Sequence, residues 1–330
     1  MHPRNLFLMK HEKLFTLLVA LLLVLIMFSI EDFRIAFSPK MHTPYIAYTP
    51  YWFDDESENL KRTSFKQVKA DLDLAKSLGF KGIKLWCIEG LEYNNLTEKV
   101  FDYCAEIGLE ILLPLRVWRQ EEFPNNNDAI RDFLNFLNIL IPKIKDKKAL
   151  RFYILHYPID YSDIYGYAQT WFKTEKYRMK LQGIIMFIKQ LDPKHKVYMA
   201  LEFDPKFGAP YDLGVDGFGV EPYSWNTPYS FDPHKIIEYL RYFEDQGYYV
   251  FIDEYGLHTT KGVNHGYCIN EETKTRILRD FIMFIYSKKY LWCYFSLFNT
   301  SEADWGLAYA NGTLKQSGLM IRDLLRKVTI

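Results

Sequence analysis

From about residue 44 the chain alternates short apolar runs with longer stretches whose apolar residues recur every three or four positions. The short runs, at 45–49, 82–87, 110–115, 151–157, 197–203, 215–220, 248–254 and 292–298, have the length and composition of strands buried on both faces. Between the first two, Phe65, Val68, Leu72, Ala75 and Leu78 fall on one helical face, with Thr63 or Ser64 as the cap and Gly79 as the stop. Residues 133–144, 179–191, 236–243 and 277–286 repeat the helical period. Strands that each precede a helix-length crossover predict a parallel sheet, and eight of them is the number that closes a (β/α)8 TIM barrel of the α/β class. No Gly-rich phosphate loop follows the first strand, which argues against a doubly wound nucleotide binder. No Pro/Gly/Ser linker divides residues 44–330, so they are expected to form one barrel domain.

The N-terminus follows a different pattern. Residues 14–30 are uncharged and apolar, and Arg4, Lys10 and Lys13 precede them. As a helix this run would be about 26 Å long, enough to span a bilayer. The expected arrangement is a cytoplasmic segment 1–13, a signal-anchor transmembrane helix 14–30, a linker 31–43 and a barrel outside the cell. The alternative is a cleaved signal peptide, with Ala36-Phe37-Ser38 as the cleavage region and a secreted product.

Composition narrows the function classes. The 330 residues are 49% hydrophobic and 25% charged, which fits a globular protein. A formal net charge of zero with no long basic block argues against a nucleic-acid partner. Aromatics reach 17%, which suits stacking on sugar rings and equally suits a Tyr-rich core. Cys87, Cys104, Cys268 and Cys293 form no CxxC pair, so structural zinc is not expected, and free thiols or disulfides both remain open. His258, His265 and Cys268 share one loop but fit no standard metal spacing. No metal or cofactor is expected. Asn95, Asn299 and Asn311 begin glycosylation sequons, which matter only in an organism that glycosylates secreted proteins.

In a barrel of this kind the chemistry sits where the strands end. Those ends carry Tyr51, Trp86 with Glu89, Arg116 with Trp118, His156 with Tyr157 and Asp160, Glu202, Glu221 with Tyr223 and Trp225, Glu254, and Phe295. Trp305 lies in the loop after the last strand. A mouth with several acids and aromatic faces suits carbohydrate chemistry, in which one carboxylate attacks or steadies the oxocarbenium centre and another donates a proton. Each acid taken alone is as readily an ion pair at the rim. The run Tyr248-Tyr249-Val250-Phe251-Ile252-Asp253-Glu254-Tyr255-Gly256 stands out, because an apolar strand closes on a carboxylate whose burial is costly unless it has partners.

Three segments carry a resemblance. Residues 45–51, followed by Gln67, Val68, Asp71 and Leu72, are similar to the opening of the β-glucanase and glucanosyltransferase branches of the clan A glycoside hydrolases. Ile252-Asp253-Glu254-Tyr255-Gly256 resembles that clan's nucleophile strand, and residues 292–299 with Asp304-Trp305-Gly306-Leu307 resemble its eighth strand and following loop. The resemblance covers nearly all of residues 44–325 and implies a retaining enzyme with Glu254 as nucleophile. It departs where the clan carries its acid/base Glu, since the corresponding position is Tyr157, a phenol with an ordinary pKa near 10. Phe295 likewise stands where the clan usually has Trp.

The expected function is therefore a glycoside hydrolase or transglycosidase acting on a poly- or oligosaccharide with β linkages. Glu202, Glu221 and Asp160, in that order, are the candidates for the missing acid. Tyr51, Trp86, Arg116, Trp118, His156, Tyr157, Tyr223, Trp225, Phe295 and Trp305 are the candidate sugar contacts, with Arg116 also able to hold Glu254 ionised. The rival is a tethered glycan-binding barrel that has lost turnover. A carboxyl within about 10 Å of Glu254 separates the two, because two-carboxylate hydrolysis needs one.

Overall fold

The computed structural model describes residues 43–50, 64–116, 127–156, 175–202, 213–223, 232–259, 269–288, 290–299 and 304–328, without the side chains of Lys176, Tyr177 and Glu202. Along the chain these form β1 (Pro44–Tyr48), α1 (Phe65–Ser77), β2 (Gly82–Leu85), α2 (Ile88–Tyr93), α3 (Thr97–Ile107), β3 (Glu110–Arg116), α4 (Asn127–Ile144) and β4 (Leu150–His156). There follow α5 (Glu175–Leu191), β5 (Lys196–Glu202), β6 (Gly217–Glu221), α6 (Pro233–Glu244), β7 (Tyr249–Gly256), α7 (Glu271–Lys288), β8 (Trp292–Phe295) and α8 (Gln316–Val328). The eight strands pair in parallel with their sequence neighbours, and β1 pairs with β8 to close the barrel.

Strand alternation divides the buried residues into two cores. Tyr45 and Ala47, Leu112, Phe152 and Ile154, Tyr198 and Ala200, Phe251 and Cys293 belong to one apolar cluster, in the barrel interior. The residues between them, such as Ile46, Leu113, Tyr153, Val197 and Ile252, belong to the larger cluster shared with the helices. A period of two on strands and 3.6 on helices produces this layering directly. Helix α1 shows the local rules at work. Ser64 accepts from the Gln67 amide and the Gln67 side chain reaches back to the Ser64 amide, a reciprocal cap, while Gly79 follows the helix at φ 94°.

Several boundaries depart from the sequence expectation. β2 stops at Leu85, and Cys87 adopts a left-handed conformation (φ 54°, ψ 47°) that starts α2, a helix not anticipated. β8 ends at Phe295 instead of continuing to residue 298. Helices α4 and α7 begin six residues before the apolar period does, because their first residues are mostly polar and carry no apolar repeat. Strand β7 runs on past Glu254 to Gly256. No helix among the described residues is long and apolar enough to cross a membrane. The expected segments 1–13 and 14–30 lie outside the described residues, as does all of the linker 31–43 but its last residue.

Candidate active site

The interior core is apolar up to one level, above which it carries charge. Lys84, inward-facing on β2, is fully buried, and Asp253, Glu254 and Glu221 around it are at most 6% exposed. Its Nζ lies 2.7 Å from Asp253 Oδ2, 2.7 Å from Glu254 Oε1 and 3.4 Å from Glu221 Oε1. The same ammonium is 3.0 Å from His156 Nε2 and 4.8 Å from the centre of the Trp86 ring.

Two consecutive acids of one strand reach this cation because β7 is irregular there. Ile252 pairs with Trp292 and Tyr255 with Tyr294, so three steps on β7 match two on β8. Such a bulge turns an additional side chain inward, and bulges concentrate beside active sites for that reason. On the adjacent β6, Gly219 leaves room for the acids. A Cβ there would come within 2.6 Å of Asp253 Cβ and 2.7 Å of the Phe251 ring. Gly256 does the same for Tyr223, whose ring would meet a Cβ at 2.5 Å.

Glu254 is held from three sides. Trp86 Nε1–H donates to Oε1 at 2.6 Å, the Tyr223 hydroxyl donates to Oε2, and Lys84 pairs with Oε1. Behind Tyr223 stand Phe295 and Trp305, with ring centres 5.6 and 5.5 Å away. His156 closes the other flank. Its Nε2 is 2.8 Å from Glu221 Oε1 and 3.5 Å from Asp253 Oδ2, and its ring meets that of Trp86 edge-on at 4.3 Å.

The cluster separates its titrations. Burial would push Asp253 up, yet Lys84 and His156 outweigh it and hold that carboxyl at about 2. Burial pushes Glu221 up to about 7 against the pull of His156 and Lys84, with the Glu254 charge adding to the rise. Burial would depress Lys84 and His156, but the carboxylates win and both are raised. Glu89, at the first turn of α2, is pushed up to about 7 by burial, with the Arg116 charge opposing.

His156, Glu221 and Asp253 bring donor atoms within 4.8 Å of one another, a spacing that would suit a metal ion. Those atoms converge on Lys84 Nζ, so the lysine already supplies the cation of the cluster.

The structure brings together Glu254, Glu221, His156, Trp86, Tyr223 and Phe295 of the sequence candidates. Asp160, Tyr51, Trp118, Tyr157 and Trp225 lie outside the described residues. Glu202 ends β5 in register with Glu221, and its side chain is outside the description. Arg116 is at the exposed end of β3, and the cation on Glu254 is Lys84 instead. Trp305, expected as a sugar platform, is fully buried behind Tyr223 and offers no open ring face. His258 is likewise buried, 4.8 Å from the Trp305 ring, while His265 and Cys268 are outside the described residues. Cys87, Cys104 and Cys293 are free thiols. Sequence reasoning missed Lys84 and the part played by Asp253. The available signal was a lysine in the middle of the apolar run Gly82-Ile83-Lys84-Leu85-Trp86.

No protein-family model and no curated protein matches this sequence. Solved structures do match its fold, at identities too low to carry more. The GH2 β-galacturonidase from Eisenbergiella tayi aligns with a TM-score of 0.65 at 16% identity, over 87% of this chain and 51% of the other, so this chain spans about half that protein's length. The β-1,3-glucanosyltransferase of Rhizomucor miehei, solved as an active-site mutant with laminaritriose, aligns at 0.63 and 16% over 84% of this chain and 97% of its own. The β-glucuronidase of Bifidobacterium dentium, solved with coumarin-3-O-glucuronide, aligns at 0.60 and 12% over 86% of this chain and 46% of its own. The fold is thus a (β/α)8 barrel like those of glycoside hydrolases.

Proposed function

We propose that this barrel is a retaining glycosidase or transglycosidase acting on a β-linked glycan, with Glu254 as the nucleophile. The observation that carries the reading is how Glu254 is held. It is a buried carboxylate on the C-terminal half of β7, gripped by Trp86, Tyr223 and Lys84. Three such partners fix its direction, which is what a nucleophile needs. The carboxylate would attack the anomeric carbon and form a glycosyl-enzyme. Water then completes hydrolysis, or a second sugar completes transfer. The neighbours named as acting on β-glucuronides, β-galacturonides and β-1,3-glucans support the β linkage. Tyr51, Trp118, Tyr157 and Trp225 remain the proposed sugar contacts, and residues 14–30 the proposed tether of an extracytoplasmic enzyme.

The expected result is turnover of at least one member of a panel of laminarin, β-glucuronides and β-galacturonides, with retained configuration by proton NMR. Glu254→Gln should then lower kcat by about 10³-fold or more. Unchanged turnover in that variant removes the assignment. The binding-only reading draws on Tyr157 at the acid/base position. It predicts saturable binding of laminarin in calorimetry with no product.

A further inference from the structure

We propose that His156, backed by Glu221, supplies and recovers the proton of this reaction in place of a strand-four carboxylic acid. The inference rests on the reading of Glu254 as nucleophile. His156 Nε2 and Glu254 Oε1 lie 3.0 and 2.7 Å from the same Lys84 Nζ. Those two lengths keep Nε2 within about 6 Å of Glu254 Oε1, so the imidazole stands beside the nucleophile on the order of distance at which a retaining enzyme holds its second group. Glu221 Oε1 is bounded in the same way, but that oxygen is taken up by both Lys84 Nζ and His156 Nε2. Glu221 therefore acts through the imidazole it touches at 2.8 Å.

The histidine is placed for the task. It ends β4, the strand from which the expected acid/base would project. Its side chain is 13% exposed, whereas those of Lys84 and Asp253 are fully buried. Nε2 takes the contacts to Lys84, Glu221 and Asp253, and Nδ1 makes no hydrogen bond among the described residues. The Trp86 ring fixes the plane of the imidazole from one side. Among the described residues, the charged groups that face it come from β2, β6 and β7: Lys84, Glu221, Asp253 and, through Lys84, Glu254. Arg116 is its register partner on β3. Burial raises Glu221 to about 7 while the acids raise His156, so the two can share one proton near neutrality.

Protonated Glu221 donates to Nε2, and Nδ1 carries the second hydrogen. As Glu254 bonds to the anomeric carbon, the C–O bond breaks with its electron pair on the leaving oxygen. That oxygen takes the Nδ1 proton, and the Glu221 proton passes to Nε2. In the second half Nδ1 takes a proton from water as the water oxygen bonds to the anomeric carbon. The ester pair then returns to Glu254 and the Nε2 proton to Glu221.

The full-length protein is assayed with 2,4-dinitrophenyl and phenyl β-glycosides, which do not and do need a proton on the leaving oxygen. His156→Gln should slow the phenyl glycoside about 100-fold or more and the dinitrophenyl one far less. Added azide should speed the dinitrophenyl substrate and yield the β-glycosyl azide. Equal slowing of both substrates without an azide effect overturns the dyad. Release of neither aryl group by the wild-type protein overturns the dyad and the nucleophile reading together. Unimpaired turnover by Glu254→Gln overturns the nucleophile reading on its own evidence. NMR titration of the His156 imidazole adds a test that needs no substrate. Glu221→Gln should lower its pKa by a unit or more, and an unmoved titration overturns the pairing.

Discussion

Lys84 and Lys274 are both completely buried, and their surroundings treat them in opposite ways. Lys84 faces three carboxylates, and its pKa is raised although burial acts to lower it. Lys274, on α7, donates to the carbonyls of Trp305 at 2.8 Å and Gly306 at 3.2 Å, with Glu271 no nearer than 3.8 Å. Burial drives it down to about 8, and the like charge of Lys315 adds to the fall against Glu271 and Asp304. Full counter-charges at contact repay desolvation; carbonyl dipoles repay only part of it. The two lysines also have different work. Lys84 organises the acids of the site, while Lys274 fixes the loop whose Trp305 ring stands behind Tyr223 and so supports Glu254 at one remove.

Replacing Lys84 should do the most damage. Lys84→Met would leave three buried acids without their cation, a change that costs about 3–5 kcal/mol when a buried pair loses one partner. Urea unfolding at pH 7 should show that loss. It should shrink as pH falls, because acids without a counter-ion take up protons more readily in the folded state than in the unfolded one. A loss below about 1 kcal/mol would mean that Lys84 does not offset the acids around it.

Lys274 supplies the opposite test. Its folded pKa of about 8 lies below the ordinary value of 10.5. The unfolded state therefore binds more protons between those values, and stability should rise with pH across that window by about 3 kcal/mol. Lys274→Met should flatten the rise. Equal slopes in both proteins would show that Lys274 titrates normally.

Two acids of the Lys84 cluster sharpen the contrast from within. Asp253, held at about 2, contributes stability that is present above pH 4 and is lost as pH falls toward 2. Glu221, raised to about 7, contributes stability that is present below its ordinary value of 4.5 and lost as pH rises through 7. Asp253→Asn should remove about 2 kcal/mol of the acid-side slope, and Glu221→Gln should flatten the slope between pH 4.5 and 7. The same sign in both variants would contradict the assignment.

The smallest effect comes from Lys315, whose ammonium pairs with Asp304 and repels Lys274. Lys315→Met should raise the Lys274 titration by less than about one unit, read from the midpoint of the same stability profile. A fall would mean that Lys315 shields Lys274 instead of repelling it.

The barrel and the strand that bears Glu254 are legible in the side-chain pattern of the chain alone. Strand and helix periods are local properties of the side-chain pattern, and eight alternations leave few topologies to choose from. The same locality set the cap of α1, where Ser64 and Gln67 lie within one turn of each other. The ion cluster, by contrast, joins residues far apart in the chain. Lys84 meets Glu221 across 137 positions and Asp253 across 169, distances over which no periodicity reports a partner. The bulge that turns both Asp253 and Glu254 inward depends on the register between β7 and β8, which neither strand encodes alone. Trp305 likewise reads as an exposed ring until the fold buries it behind Tyr223, because burial is a property of what packs on a residue and not of the residue itself.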